Sequence, residues 1–415
     1  MTEHVTIWVI AAIATAGVIG RPFGWAEWIW AAGGAGLLVA VGLMPPVAAW
    51  HGVLKGVDVY LFLVGMMALA EVARWAGLFD WLAGWAARAA GGSSMRLFAL
   101  VYGVGTVVTV FLSNDATAVV LTPAIAAVAR TAKVRDALPY LFICAFIANA
   151  ASFVLPISNP ANLVIYGSHM PPLLQWVPRF ALPSLAAIAA TYGVLLWTQR
   201  GALRGRLATE IEQPVLSGPA RLAAGGIGVT VVVLMGASAF GLALGWPTFA
   251  AGVGTAVVVL VRSGGGAGAI LRGISWGVLP LVAGLFVLVE ALDRTGVTGA
   301  IAGALTAVVS RSAVEAGWVA GLVLGLGSNL VNNLPAGLLA GRVVELAQVP
   351  DRVRSAVLIG VDLGPNLSVT GSLATILWLT ALRREGLQVG AWQFLKLGAL
   401  VMPLALVLAL AALFV

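Results

Sequence analysis

The chain has 415 residues, 61% of them hydrophobic, with a mean hydropathy of +1.03 and only 23 basic and 16 acidic groups. A water-soluble domain of this length carries roughly 100 charges at the usual ~25%, so the composition excludes a cytosolic enzyme, a disordered chain and a nucleic-acid binder, and makes lipid the main solvent. The single Cys144 excludes a disulfide framework, a zinc cluster and any site built from several thiolates.

The net charge of +7 and pI of 10.2 come from Lys and Arg in short connections between apolar runs, where they act as topology signals. Met1 to His4 precede the first run with an acid at Glu3 and no basic stretch, so no cleaved signal peptide is expected. Apolar runs of about 20 residues or fewer then follow. They cover Val5–Gly20, Trp25–Met44, Val57–Leu78, Met95–Leu112, Ala137–Val154, Trp176–Trp197, Leu222–Leu244, Trp246–Val261, Ile274–Leu292, Ala316–Gly327, Val353–Leu363 and Trp392–Val415. Several are too short or too polar for an ordinary span. Basic loops lie at Arg130, Lys133 and Arg135, and at Arg342, Arg352 and Arg354. The most charged connection, from Gln199 to Arg221 with Arg200, Arg204, Arg206, Glu210 and Glu212, is expected on the cytoplasmic side and joins two halves. The glycine-rich run from Arg262 lacks a following GK[ST] and reads as a flexible loop.

The halves repeat. Leu61–Leu78 is similar to Leu279–Val297, with Glu71 facing Glu290; Phe111–Pro123 is similar to Gly325–Gly337, with Asn114 facing Asn329; Phe146–Gly167 is similar to Leu358–Trp378, with Asn149 facing Asp362. Order and spacing are kept together, which chance matches do not do. The predicted fold is an all-α integral membrane protein of two repeats, with about 10–12 transmembrane segments and broken helices or re-entrant hairpins at mid-membrane. Residues 1–198 form the first repeat, 199–221 a cytoplasmic linker and 222–415 the second repeat.

Each half is interrupted twice by small and polar residues. The first carries Ser113-Asn114-Asp115 with Thr117, then Ser158-Asn159-Pro160 with Asn162. The second carries Ser328-Asn329 with Asn332-Asn333, then Asp362, Gly364-Pro365-Asn366, Thr370 and Ser372. Unpaired backbone groups cost several kcal/mol each in hydrocarbon, so such breaks survive only inside protein or along a wet cavity. Paired breaks in two repeats point to a transport site at mid-membrane. An ionised aspartate there costs roughly 2.5–3.5 kcal/mol even on the lenient insertion scale. Asp115 and Asp362 therefore either cap a nearby helix start or face an aqueous cavity and titrate, and the two roles are compatible. Asn114, Asn149, Asn159, Asn162, Asn329, Asn332 and Asn333, with Thr117, Ser158, Ser328, Thr370 and Ser372, either cap the broken helices or bind substrate; their convergence from two repeats favours binding. Glu71 and Glu290 are expected in interfacial ion pairs. His4, His51 and His169 have no metal-ligand spacing and are expected in solvent. Trp25, Trp28, Trp30, Trp81, Trp85 and Trp176 are expected in an interfacial belt. Cys144 is expected as core filler. No cofactor or metal site is read from the sequence.

The strings FLSNDATAVVLTP, GSNLVNNLPAGLLAG, FIANAASFVLPISNPAN and above all GVDLGPNLSVTGSLATILWL resemble the arsenite efflux permeases (ArsB) of the ion transporter superfamily, over nearly the whole chain. The resemblance implies a two-repeat carrier in the inner membrane of a prokaryote whose hairpins meet at a central site. It also implies export of arsenite and antimonite, proton-driven antiport and, in some members, association with a soluble arsenical ATPase. Asn149 stands where many members carry Asp, and Val361 and Asn366 where several carry Cys and Lys. Arsenite near neutral pH is a small uncharged triol, which Asn, Ser and Thr satisfy by donating and accepting hydrogen bonds. Coupling through Asp115 or Asp362 would supply the driving ion. Rival readings are a sodium-coupled dicarboxylate carrier, a sodium/proton antiporter and a channel. A membrane-embedded enzyme is disfavoured, because no H-E-x-x-H, G-x-S-x-G or nucleophile-base pair occurs.

Overall fold

A computed structural model describes residues 2–167, 170–208 and 215–415. His169 and the linker acids Glu210 and Glu212 lie outside the described residues. Those described are helical or loop, apart from one isolated antiparallel bridge between Ser93 and Arg206.

The first half holds α1 (Thr2–Gly20), α2 (Glu27–Ala40), α3 (Pro46–Lys55), α4 (Val57–Trp75), α5 (Leu78–Ala89), α6 (Ser94–Phe111), α7 (Asn114–Ala116), α8 (Thr122–Thr131), α9 (Leu138–Ala150), α10 (Pro160–Tyr166) and α11 (Leu173–Gln199). The second holds α12 (Gly218–Ala239), α13 (Gly245–Ser263), α14 (Ala267–Gly273), α15 (Val278–Arg294), α16 (Val297–Val309), α17 (Ala313–Val331), α18 (Asn333–Leu346), α19 (Asp351–Leu363), α20 (Leu373–Arg384) and α21 (Ala391–Phe414). Helix starts fall where the sequence supplies a capping oxygen. Ser93, Ser113, Asn159, Ser217, Ser312, Asn332 and Ser372 each accept a backbone N–H of the turn that follows.

Contacts fix the chain direction. Tyr140 Oη donates to Ser94 O, and Gly105 faces Ile143 and Ile147, so α6 and α9 run parallel. The segment joining them, α7 and α8, must run back, which makes a helical hairpin with its tip at Leu112-Ser113. In the second half Gly321 lies against Ala356 and Gly360, and Gly325 against Gly360 and Gly364, so α17 and α19 are also parallel. Helix α18 therefore returns from a tip at Asn332, where φ is 71°.

The linker marks one face of the bundle. Leu207 N donates to Gly92 O, Ala208 N to Ala132 O and Ser217 Oγ to Ala76 O. The first hairpin enters from this linker face. The second enters from the opposite face, because Arg342 on α18 bonds Asp293 at the far end of α15, and Lys55 beside the start of α4 bonds Glu290. The halves are thus inverted relative to each other. The pairs α9 with α10 and α19 with α20 are broken segments whose halves are too short to cross a membrane alone. Among the described residues only 8 helices are long and apolar enough to cross alone, or 9 if the pair α3 and α4, bent by 47°, is one span. The outer hairpin arms α6 and α17 are among these 8.

Packing divides the bundle into two bodies, each drawn from both halves. In one, α1 to α4 pack on α12 to α15; α4 and α13 approach so closely that a Cβ on Gly252 would lie 2.1 Å from Gly65 O. In the other, α6 to α11 pack on α17 to α21, with α11 along α21 and α10 against α18. Few contacts join the bodies.

Two sequence expectations are corrected. The run after Arg262 is only partly loop: Gly264 and Gly266 turn with positive φ, Gly266 lies against Trp75, and α14 follows. Trp176 is not in an interfacial belt. It is fully buried, with Nε1 donating to Phe153 O and Val154 O and its ring beside Tyr166 and Phe180. Trp25, Trp28 and Trp85 are exposed, as a belt requires. Cys144 is buried in the core, and His4 and His51 are exposed.

Candidate transport site

Four helices start at the centre of the second body, and their first turns meet. The crevice between them is lined by Asn114 and Asp115 of α7, Asn159 with Pro160 of α10, Asn333 and Leu334 of α18, and Leu373 and Ala374 of α20. Leu63 of α4 and Val278 of α15 close it from the first body. Leu63, Asp115, Pro160 and Val278 also line a cleft that runs past Phe62, Met66 and Met67 to Glu71 and Gly273, toward the linker face. At its mouth Arg74 Nη2 pairs with Glu71 Oε2 at 2.6 Å; Glu290 pairs with Lys55 at 2.6 Å on the opposite face, so both glutamates form the expected end-of-span pairs.

The chemistry of the crevice is specific. The four helix starts turn their partial positive charge to the crevice, which suits oxygen-rich ligands, while their first N–H groups are taken up by the caps Ser113, Asn159, Asn332 and Ser372. Neither Lys nor Arg lines it, and Asp115 adds a carboxyl group. Among the described residues no side chain bonds the Asp115 carboxylate. Asn114 Oδ1 accepts Asp115 N at 2.9 Å, which leaves its NH2 group for a ligand.

The sequence-predicted ligands separate into three groups. Asn114, Asn159 and Asn333 line the crevice, with the acid Asp115. A second group is occupied inside the protein. Thr117 bonds Thr109 at 2.8 Å, Ser158 Oγ donates to Val110 O at 2.9 Å, and Asn162 Nδ2 donates to Ser152 O, Leu155 O and Pro156 O. Asn329 Nδ2 donates to Gly325 O and Gly364 O, both at 2.9 Å; its Oδ1 accepts Ser368 Oγ at 2.8 Å, and its backbone O accepts Thr370 Oγ1 at 3.1 Å. Asn332 Nδ2 donates to Thr370 O, Ser372 caps α20, and Ser328 bonds its own helix. These hold loops and do not reach the crevice.

The third group surrounds Asp362, which is fully buried and lines no part of the crevice. Its carboxyl stands behind Asn159: Asn159 Nδ2 donates to Oδ1 at 2.8 Å, and Ser152 Oγ lies 2.6 Å from Oδ2. Asn149 Nδ2 donates to Asn366 Oδ1 at 3.0 Å, and Asn366 Nδ2 donates to Phe146 O. Of the two acids expected at a cavity, then, only Asp115 lies on its wall, because α19 ends one layer behind α10. Sequence reading missed Ser152 and Ser368. The available signal for Ser152 was its place three residues after Asn149 in an otherwise apolar turn.

The pairing of Asn114 with Asn329 is also corrected. Ser113 and Asn332 are the caps of the returning hairpin arms, so Asn114 corresponds in space to Asn333. Helix α17 ends at Val331, so Asn329 lies inside it two residues before its end, whereas α6 ends at Phe111 and Asn114 follows the break.

Opposed hairpins, broken crossings and a polar crevice at mid-bundle define a multi-pass membrane transporter. The sequence model of the citrate transporter family matches residues 7–363, and the chain belongs to that family. It is 29% identical to an arsenical pump membrane protein of Yersinia enterocolitica over 91% of this chain and 89% of that one. With the Escherichia coli K12 arsenical pump membrane protein it shares 26% over 95% and 94%, and with an uncharacterized transporter of Mycobacterium tuberculosis 27% over 90% of each. Among solved structures the Alcanivorax borkumensis YdaH transporter has the same fold, with a TM-score of 0.59 at 15% identity over 99% of this chain and 97% of that one. The Neisseria gonorrhoeae MtrF antimetabolite efflux pump gives 0.53 at 14% over 99% and 94%.

Proposed function

We propose that this transporter exports arsenite, and with it antimonite, as neutral trihydroxides by proton antiport with alternating access. The observation that carries the reading is the lining of the crevice: three amides, four helix starts, one carboxyl and no cation. A citrate-like tricarboxylate would meet Asp115 with no Lys or Arg to offset the repulsion, whereas a small triol finds donors and acceptors. With one cysteine, buried in the core, thiolate capture is unavailable and the cargo is held by hydrogen bonds, weakly enough to leave. The similarity to arsenical pump membrane proteins supports the same cargo.

Under this reading the linker face is cytoplasmic and the membrane is the prokaryotic inner membrane. The linker face carries Arg74, Arg130, Arg206, Arg221, Arg272, Arg383 and Arg384 with few acids. On the opposite face Lys55, Arg179, Arg294, Arg311, Arg342, Arg352 and Arg354 are matched by Glu3, Asp58, Glu290, Asp293, Glu315, Glu345 and Asp351. That asymmetry is the positive-inside bias. The repeats span 1–198 and 222–415, and the hairpin-bearing body moves against the other. Asp115 meets cargo and proton in the crevice, and Asp362 holds the coupling proton behind it. A soluble arsenical ATPase is not needed by this scheme; if one is used, it docks on the linker face.

Everted vesicles under an imposed pH gradient test the proposal. Arsenite uptake should follow the gradient, be indifferent to sodium, and vanish in Asp362→Asn. Uptake that requires sodium, or an unchanged pH-driven rate in Asp362→Asn, rejects the coupling scheme.

A further inference from the structure

Ser152 has one hydroxyl proton and two close acceptors. Its Oγ lies 2.7 Å from Asn149 O and 2.6 Å from Asp362 Oδ2. If Asp362 is ionised, Ser152 can serve only one of them, and the other short contact sets oxygen lone pairs against each other. If Asp362 carries a proton on Oδ2, that proton donates to Ser152 Oγ, Ser152 donates to Asn149 O, and both contacts are bonds.

The neighbours leave no other arrangement. Asn159 Oδ1 is fixed by its cap to Ala161 N at 3.0 Å, so its NH2 must face Asp362 Oδ1 and can only donate. Asn366 donates to Phe146 O, so its oxygen faces Asn149, which must present its own NH2; Asn149 Oδ1 is then buried with no donor. No charged side chain touches Asp362 among the described residues. On the helices packed against α19, Tyr140 bonds Ser94, Tyr166 bonds Ser355, Cys144 lies by Thr122, and Arg342 pairs with Glu345 near the end of the bundle.

We propose that Ser152 is a positioning residue that reads the proton on Asp362 and passes its presence to the break between α9 and α10. With the proton bound, Ser152 ties Asn149 O and closes the last turn of α9. When the proton leaves to water, the Ser152 hydroxyl turns to the carboxylate and gives up its 2.7 Å bond to Asn149 O, which keeps only the longer 3.3 Å bond from Ser152 N. The turn this weakens carries Ser152 O and Leu155 O, which hold Asn162, and leads to Asn159 on the crevice wall. Proton release on α19 thereby loosens the loop that presents a cargo ligand. The inference rests on Asp362 as the coupling site proposed above, but not on the identity of the cargo.

The test needs no cargo. Purified transporter in lipid is titrated with pH while the infrared carbonyl stretch of a protonated carboxylic acid is followed, and the Asp362 band is the one absent from Asp362→Asn. Ser152→Ala should change the frequency of that band and move its midpoint by about one pH unit, tenfold in proton affinity; Ser152→Thr, which keeps the hydroxyl, should restore both. An Asp362 band unaltered in Ser152→Ala, or the absence of any band that Asp362→Asn removes, overturns the inference. If the band responds as expected while vesicles show no arsenite uptake, the cargo assignment fails and this inference stands.

Discussion

The two hairpin tips use their asparagines in opposite ways. At the first, the chain breaks at Leu112-Ser113 and Asn114 and Asp115 open directly on the crevice, with few internal bonds. At the second, Asn329 and Asn332 are bonded to the 364–370 loop by both amides, and only Asn333 is left to line the crevice. An amide in a membrane protein can therefore hold a loop or hold a ligand. Its place within one helical turn of the break decides which. The second tip is also braced where α17 and α19 touch backbone to backbone, whereas α6 meets α9 through the side chains of Ile143 and Ile147.

The most damaging test of that contrast is at the brace. A Cβ on Gly360 would sit 2.3 Å from Gly321 O, against backbone that cannot give way. Gly360→Ala should cost about 1–3 kcal/mol in thermal or denaturant unfolding, while Gly327→Ala, with nothing within 4 Å, should cost less than about 0.5 kcal/mol. Equal losses would show that the close approach does not matter.

Next come the tips themselves. Asn114→Ala should reduce arsenite uptake at sub-saturating concentration about tenfold, the worth of one hydrogen bond to cargo near 1.4 kcal/mol, with no change in melting temperature. Asn329→Ala should do the reverse. It should lose about 0.6–1.7 kcal/mol of stability, as interhelical polar contacts in membranes do, with uptake per folded molecule retained. Opposite results would exchange the roles of the two tips.

The smallest effect is expected where the bodies meet. Arg342 bonds Asp293 across the joint at 2.9 Å and Glu345 on its own helix at 3.1 Å. Arg342→Gln should change stability by less than about 1 kcal/mol, as partly exposed pairs do. Because the pair spans the moving boundary, the change should fall on the turnover rate more than on the melting temperature.

Much of this was legible in the sequence because lipid is an exacting solvent. Apolar runs, their interruption by Gly, Pro and Asn, and the recurrence of Glu71 with Glu290 and Asn149 with Asp362 follow from the need to satisfy every backbone group inside a membrane. The repeat, the breaks and the polar residues that gather near the centre could be read from that rule alone. Orientation could not. Whether α7 and α8 continue or return depends on α6 lying parallel to α9, a contact between residues far apart in the chain. The place of Asn329 inside α17 depends on where that helix ends, and no local residue signals it. The role of Ser152 became visible only when α9 and α19 brought it within 2.6 Å of Asp362, because its place three residues after Asn149 does not by itself name a partner. Composition and periodicity determined that polar groups would be buried in a bundle of broken helices. Tertiary packing decided which of them face cargo, which hold the loops and which surround the acid, because those roles depend on neighbours supplied by the other half.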